Sequence, residues 1–386
     1  MTARPSGREK GKVTVMRFTC EKALLQTAIM TTGRAVAVKT SIPALEGILI
    51  EAIGFLRLTG YNLETGIQAA VPAQIEEEGT LVLSARLFGE IIRKLPDEPV
   101  TISAQGLTVK IDCAMSHYTL QAIDPEEFPE LPQVRGENEI VMKQSDLKSM
   151  ISQTIFAVST QDIRPVHTGS LFEVEGDSLT VVSLDGFRLA LRREKYVKNL
   201  GDTAYSFVVP AFALGEVEKI CGDTDDTVSV SQGQSHILFT VGDTIVVCRR
   251  LEGEFLNYKQ SIPRENKIVV TGATRELLAS IGRVSLILSD KLKNPLRCTF
   301  KENQLFITTK SAIGDASDIC PVEGDGQGLE IGFDNRYLSD ALRFAPADKV
   351  RMELGSPVSP CVIVPEQAGD ESFLYLVLPV RLKAGD

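Results

Sequence analysis

Residues 81–95 read LVLSARLFGEIIRKL, and residues 329–344 read LEIGFDNRYLSDALRF. In both, alternating or β-branched residues give way to apolar residues at i, i+3, i+4 spacing. The period changes from 2 to 3.6, the mark of a strand running straight into an amphipathic helix. The same junction recurs as MRFTCEKALLQTAI at 16–29, IVMKQSDLKSMISQTI at 140–155, FVVPAFALGEVEKI at 207–220 and IVVTGATRELLASIGRV at 268–284. Helices are expected to start near Glu21, Ser84, Ser145, Pro210, Thr274 and Asp334, at intervals of about 60 residues. Ser84, Ser145 (or Asp146), Thr274 and Asp334 suit the N-cap, and Pro210 suits the first helical turn.

Every second junction is followed by a polar turn into another strand: KLPDEPVTIS from Lys94, ICGDTDDTVSVS from Ile220 and FAPADKVRMEL from Phe344. Between the helices lie short alternating runs, such as LTVVSL, HILFTV and CVIVP, that read as antiparallel strands. The six units therefore group into three pairs. The expected fold class is α+β, with three tandem domains of two helices and two small antiparallel sheets each. Their expected limits are 16–137, 138–263 and 264–386, after a flexible leader over 1–15. The joins are polar and carry Gly136 and Pro263. One irregular domain with chance similarity is the bland alternative, and the even spacing argues against it.

Composition narrows the class. Apolar residues make up 43% and charged residues 24% of the 386, as in an ordinary globular protein. No apolar run approaches the ~20 residues of a membrane helix, so no membrane partner is expected. The start, MTARPSGREKGKVTV, lacks the apolar stretch of a secretory signal. Seven cysteines (Cys20, Cys113, Cys221, Cys248, Cys298, Cys320 and Cys361) contain no C-x-x-C pair. They fit a reducing, cytoplasmic setting rather than a disulfide frame or zinc site. His117, His167 and His236 have no metal-like spacing, and no cofactor is expected. The net charge of -10 argues against a surface that grips nucleic acid by neutralising phosphates.

At this point the chain resembles the beta subunit of bacterial DNA polymerase III, the sliding-clamp family. The resemblance runs from Met16 to Leu382. It is carried by MRFTCEKALLQTA, SIPALEGILIEA, LRLTGYNLETGI, FAVSTQDIRP, LTVVSLDGFRLAL, EGEFLNYKQSIP, RVSLILSDK, LEIGFDNRYLSDAL and YLVLPVRL, in that order. The leader and the four residues KAGD after Leu382 depart from the family. The resemblance implies a head-to-tail homodimeric ring, with helices lining the pore and sheets outside. Twelve helices ~10 Å apart would lie on a circle ~38 Å across, wide enough for a duplex after allowing for helix thickness. Retention would then be topological, which reconciles DNA handling with an acidic chain. The resemblance also implies a non-catalytic processivity factor that encircles double-stranded DNA without reading its sequence. Its implied partners are the DNA polymerase III alpha subunit, the clamp loader, and other polymerases and repair proteins carrying short peptide motifs.

The resemblance further implies three sets of site residues. A partner-peptide groove maps to Leu184, Gly186, Phe187, Arg188, Leu189, Leu256, Tyr337, Val358, Pro360, Leu376, Val377, Leu378, Pro379, Val380 and Arg381. An apolar trough with a few polar groups at its rim suits short peptides with apolar anchors; the alternative for Leu376–Val380 is a core strand. The family commonly has His at Phe187, Pro at Leu256 and Arg at Gln260, so the rim is altered here. DNA contacts map to Lys39, Arg86, Arg93 and Gln161, against the alternative of solvated surface charge. Aromatic residues that the family places near DNA are replaced by Pro165 and Val166. The dimer seam maps to Tyr118 and Leu120, on an expected edge strand, and to Ile287 and Leu288, expected at a helix end. An exposed apolar edge needs covering, and the alternative is core within a domain.

Two other function classes are weighed. The acidic runs Asp223–Asp225–Asp226 and Asp370–Glu371 suggest a metal-dependent nuclease, but they lie in turn-like loops without a histidine or a second acidic set. No P-loop, G-x-S-x-G or dinucleotide fingerprint is present. A scaffold of the same fold that does not encircle DNA is the third class.

Overall fold

The computed structural model describes residues 15–161, 163–263, 265–288 and 294–382. The expected leader lies outside these residues except for Val15, which opens strand Val15–Cys20. KAGD and the last three residues of RVSLILSDK also lie outside them. All six expected helices form: α1 Lys22–Thr32, α2 Ala85–Lys94, α3 Gln144–Ser152, α4 Ala211–Ile220, α5 Thr274–Ser285 and α6 Asn335–Arg343. A strand leads into each of them.

The expected caps are only partly right. Asp334 caps α6, its Oδ1 accepting from the N–H groups of Arg336 (2.9 Å) and Tyr337 (3.3 Å). Ser84 stands at the N-cap of α2, but its side chain makes no capping bond. Lys143, not Ser145, precedes α3, Ala273, not Thr274, precedes α5, and Pro210 is itself the N-cap of α4. Neighbouring loops are the reason. The N–H groups of Gln144 and Ser145 donate to the carbonyls of Asp226 (2.8 Å) and Thr224 (3.2 Å), and that of Thr274 donates to Asp348 (2.8 Å). With those donors satisfied by backbone, no capping side chain is needed.

Contacts divide the chain into two compact units, one ending at Glu137 and including Val228–Arg249, the other made of Asn138–Thr227 and the chain from Arg250. The first unit holds α1 and α2. Its smaller sheet is antiparallel, in the order Gln74–Glu77, Val15–Cys20, Val100–Gln105, Thr108–Cys113, Ser116–Gln121. Its second sheet includes, in order, His236–Val241, Thr244–Arg249, Thr65–Val71, Phe55–Tyr61, Gly47–Ile53 and Gly79–Ser84. Pairing of Thr244–Arg249 with Thr65–Val71 is what draws Val228–Arg249 into this unit.

The second unit holds the other four helices. Its eight-stranded antiparallel sheet runs Ala204–Pro210, Gly169–Glu175, Ser178–Leu184, Arg188–Lys195, Phe373–Val377, Cys361–Pro365, Lys349–Leu354, Ile268–Ala273. The middle of that order, where Arg188–Lys195 meets Phe373–Val377, joins the second repeat pair to the third. A four-stranded sheet runs Gly314–Pro321, Gln304–Ser311, Leu296–Lys301, Leu329–Phe333.

Each unit buries its own apolar core. Phe18, Phe88, Ile92 and Ile102 are fully buried in the first, as are Phe300, Phe333, Leu338 and Tyr375 or nearly so in the second. The seven cysteines are buried and free. Burial pushes the thiols of Cys20 and Cys221 up to about 11 and those of Cys248 and Cys298 up to about 12. These four therefore pack as small hydrophobes and stay protonated at neutral pH. No helix of the described residues is long and apolar enough to cross a membrane.

Candidate functional site

The residues expected to form the groove are organised by one turn and one strand pair. Strand Ser178–Leu184 ends in Asp185–Gly186–Phe187, and strand Arg188–Lys195 returns. Gly186 has φ +90°, a conformation that favours glycine. The Asp185 carboxylate accepts from the N–H groups of Phe187 (2.9 Å) and Arg188 (3.1 Å), closing the turn. Across the sheet Leu189 pairs with Leu376 and Arg188 with Val377. One step further, the Leu378 N–H donates to the Phe187 carbonyl (2.9 Å). The strand ends at Val377, and the chain then crosses to Gly332, whose carbonyl accepts from the Val380 N–H (2.8 Å). A Cβ on Gly332 would meet the Val380 carbonyl at 2.5 Å, so glycine is needed for this approach.

The expected groove residues separate into a floor and a rim. Leu184, Leu189 and Leu376 are buried in one cluster with Tyr258, and Val377 is fully buried, as a core strand would be. Phe187 (58% exposed), Val358 (69%), Leu256 (42%) and Leu378 (36%) present apolar surface. Gly186 and Arg381 are exposed, while Tyr337, Pro360, Pro379 and Val380 are half-buried. Val358 and Arg381 line a separate cleft of about 610 Å³ with Ile268, Leu329 and Leu382.

Arg188 binds the rim together. Its guanidinium is buried and donates to the carboxylates of Asp185 (3.0 Å) and Asp340 (2.6 Å) and to the Phe156 carbonyl (2.7 Å). It lies over the Tyr337 ring at 4.7 Å. Tyr337 in turn stacks on Phe187, with centroids 5.9 Å apart and planes 17° apart. Burial, with Asp185 and Asp334 adding, raises the Tyr337 phenol above its ordinary value, so it stays a neutral donor. Sequence reasoning missed Phe156 and Asp340. The Asp185 turn was readable from D-G two residues before Arg188.

The segment that carries the altered Leu256 and Gln260 is also anchored. Tyr258 is buried, and its hydroxyl donates to Glu173. Burial and that carboxylate push the phenol well up. His167 packs edge-on against Phe255 at 5.3 Å, with its Nε2 buried. Val166, a position compared above with DNA-facing aromatics, is buried in the same cluster. It presents nothing to a base.

Of the expected DNA contacts, Arg86 and Arg93 lie on α2 and line one cleft of about 490 Å³ with Ile29, Met30 and Arg34. Lys39 is exposed in the loop after α1, and Gln161 is exposed beside Ser159, whose Oγ accepts from its N–H (3.2 Å). Of the expected seam residues, Tyr118 and Leu120 lie on Ser116–Gln121, where the sheet order ends. Tyr118 is 37% exposed, and Leu120 packs partly on the core. Ile287 and Leu288 do not end the helix as expected. α5 stops at Ser285, Leu286 is its C-cap at 82% exposure, and the Leu288 N–H donates to Ser285. A second open edge, Gly314–Pro321 with Ile319 52% exposed, was not singled out in the sequence. The sequence GDASDICP, with Ile319 as its single large apolar residue, offered little signal.

Three of the five residues in the acidic runs form ion pairs. Asp223 meets Lys148 (2.9 Å), Asp225 meets Lys143 (3.0 Å) and Glu371 meets Arg193 (2.7 Å). No cluster of three metal-ligating side chains occurs among the described residues.

Comparison with known proteins matches three domain profiles in chain order. The DNA polymerase III beta subunit N-terminal domain covers residues 16–132, the central domain 141–257 and the C-terminal domain 259–381. The beta sliding clamp of Bacillus subtilis is 31% identical over 380 residues, covering 95% of this chain and all of that one. That of Synechococcus elongatus is 30% identical over 378 residues, covering 96% of this chain and all of its own. The crystal structure of the Bacillus subtilis clamp superposes with a TM-score of 0.91, and a DNA polymerase III beta subunit structure from Eubacterium rectale with 0.90 at 32% identity, each over 95% of this chain and 100% of its own. The chain therefore belongs to the DNA polymerase III beta subunit family, the bacterial sliding clamps.

Proposed function

We propose that two copies of this chain close head to tail into a ring around duplex DNA, and that proteins working on the DNA dock in the groove beside Arg188 and Leu378. As a sliding clamp the chain is a non-catalytic processivity factor. The in-order match of all three domains carries this reading. The proposed domains are 16–137, 138–263 and 264–386, within the cytoplasm. The proposed partners are the DNA polymerase III alpha subunit, the clamp loader, and other polymerases and repair proteins with short apolar motifs. Lys39, Arg86, Arg93 and Gln161 are the proposed DNA contacts. Weakly held phosphates let a ring slide, because no single contact grips.

Two open edges support ring closure, Ser116–Gln121 and Gly314–Pro321. An uncovered edge strand is a liability that pairing with a second copy removes. Tyr118, Leu120, Ile287 and Leu288 are the proposed apolar seam. Light scattering tests it. The chain should run at twice its 42.1 kDa, and Tyr118→Asp should shift it to the monomer. The exposure of Tyr118 makes it a better probe than Leu288, which packs against the core. A folded Tyr118→Asp protein that stays dimeric would sink the seam assignment.

A further inference from the structure

In the first unit, the segment 125–134 roofs one face of the second sheet. On that face Leu49 stands opposite Thr59, Thr59 opposite Gln68 and Gln68 opposite Ile245, with Glu51 opposite Arg57 in the next row. The segment is pinned before and after it crosses. The Ile123 N–H donates to the Val82 carbonyl (2.9 Å), and the Glu137 N–H donates to the Gln232 carbonyl (2.8 Å). In between, Phe128 is buried in a cluster with Tyr61 and Val82, and Leu131 packs against it. A cleft of about 570 Å³ remains between face and roof, within the range of roughly 300–1,000 Å³ typical of small-ligand sites.

The chemistry of this lining is one-sided. Leu49, Leu238, Ile245 and Val247 give it apolar surface. Its charged side chains are the carboxylates of Glu51, Glu126 and Glu130 against the guanidinium of Arg57. That guanidinium lies over the Phe55 ring at 4.5 Å, with its Nε 3.9 Å from Glu51. Pro125, Pro129 and Pro132 bring carbonyls to the roof but no N–H. The Gln68 amide donates to the Thr59 hydroxyl (2.9 Å) and keeps an acceptor oxygen. Acceptors and negative charge therefore outnumber donors and positive charge, beside apolar walls. We propose that the cleft binds a small organic cation, an ammonium group on an apolar body. An ammonium brings three donors and no acceptor, which suits this lining. Its body lies against Leu238 and Ile245. A carboxylate on the same body would meet like charge and find Arg57 alone to answer it.

The test uses the whole chain with phenethylamine, hydrocinnamate and phenethyl alcohol, one apolar body with three end groups. NMR titration of the ligand signals reads each dissociation constant, and a melting curve checks each variant. The amine should bind in roughly the millimolar range or tighter, and about tenfold or more tighter than the carboxylate, with the alcohol between them. Leu238→Trp fills the cleft from a half-buried position without changing the charge, and should weaken the amine about tenfold or more. Glu126→Lys, on the exposed side of the roof, should weaken the amine and strengthen the carboxylate, each about two- to fivefold. If a folded Leu238→Trp protein binds the amine as before, the acidic chain holds it elsewhere and the proposal is wrong. If Leu238→Trp does not fold, Glu126→Lys decides, and an unchanged ratio of amine to carboxylate affinity overturns the site. A carboxylate bound as tightly as the amine overturns it too, as does an amine that shows no binding up to about 20 mM.

Discussion

At the scale of single residues, Arg188 organises the rim, and it does so from a buried position. Its two carboxylate partners are themselves mostly enclosed, at 13% and 14% side-chain exposure. Removing one member of such a group leaves uncompensated buried charge. Arg188→Ala should therefore destabilise the protein by roughly 3 kcal/mol, read as a lower urea midpoint at unchanged slope; a change below ~0.5 kcal/mol would contradict the arrangement. His167 makes a second residue-scale prediction. Burial, with Arg164 adding, lowers its imidazole below the ordinary value. As pH falls below about 6.5, the unfolded chain takes up the proton first, so stability drops toward acid and recovers as pH rises. His167→Phe should make the fall in melting temperature between pH 7 and pH 5.5 shallower, not abolish it, because His236 is lowered in the same way by burial and Arg249. An unchanged slope would remove His167 from this account. Little of this was legible in the sequence. The resemblance placed Arg188 in the groove, but Asp340 lies 152 residues away along the chain, and no local pattern announces such a pairing.

At the scale of elements, much more was legible. The shift from period 2 to period 3.6 located all six helices, because each is short, amphipathic and entered directly from a strand. The errors sit mainly at the helix starts, and at the end of α5, which stops at Ser285 before Ile287 and Leu288. A good cap residue in the sequence means little where a neighbouring loop carbonyl already takes the free N–H. That is the case at α3 and α5, where Asp226, Thr224 and Asp348 do so. The same logic separates two similar-looking caps. Asp334→Ala should cost about 1 kcal/mol, since Asp334 caps α6 beneath Tyr337. Ser84→Ala should cost only a few tenths, since Ser84 makes no capping bond. Equal losses in thermal denaturation would contradict this distinction. The edges show the complementary weakness of sequence reading. Ser116–Gln121 was placed through the family resemblance, whereas Gly314–Pro321 was passed over because GDASDICP holds a single large apolar residue, Ile319.

At the scale of the molecule, the acidic chain and its DNA-handling family are compatible only if retention does not depend on gripping phosphate. The net charge of -10 would repel DNA at long range. Arg86 and Arg93 on α2 offer local positive charge without reversing that balance. The repeat count and the antiparallel sheets were readable in the sequence, but closure was not, because the edges that a second copy would cover come from distant parts of the chain. One measurement addresses closure directly. The protein is placed on nicked circular DNA by a clamp loader, unbound protein is removed, and the DNA is then cut once at moderate salt. A closed ring should remain on the circle through the salt step and be lost on linearisation. Protein that stays bound equally to the circle and to the linear molecule would contradict encirclement and point to ordinary phosphate binding.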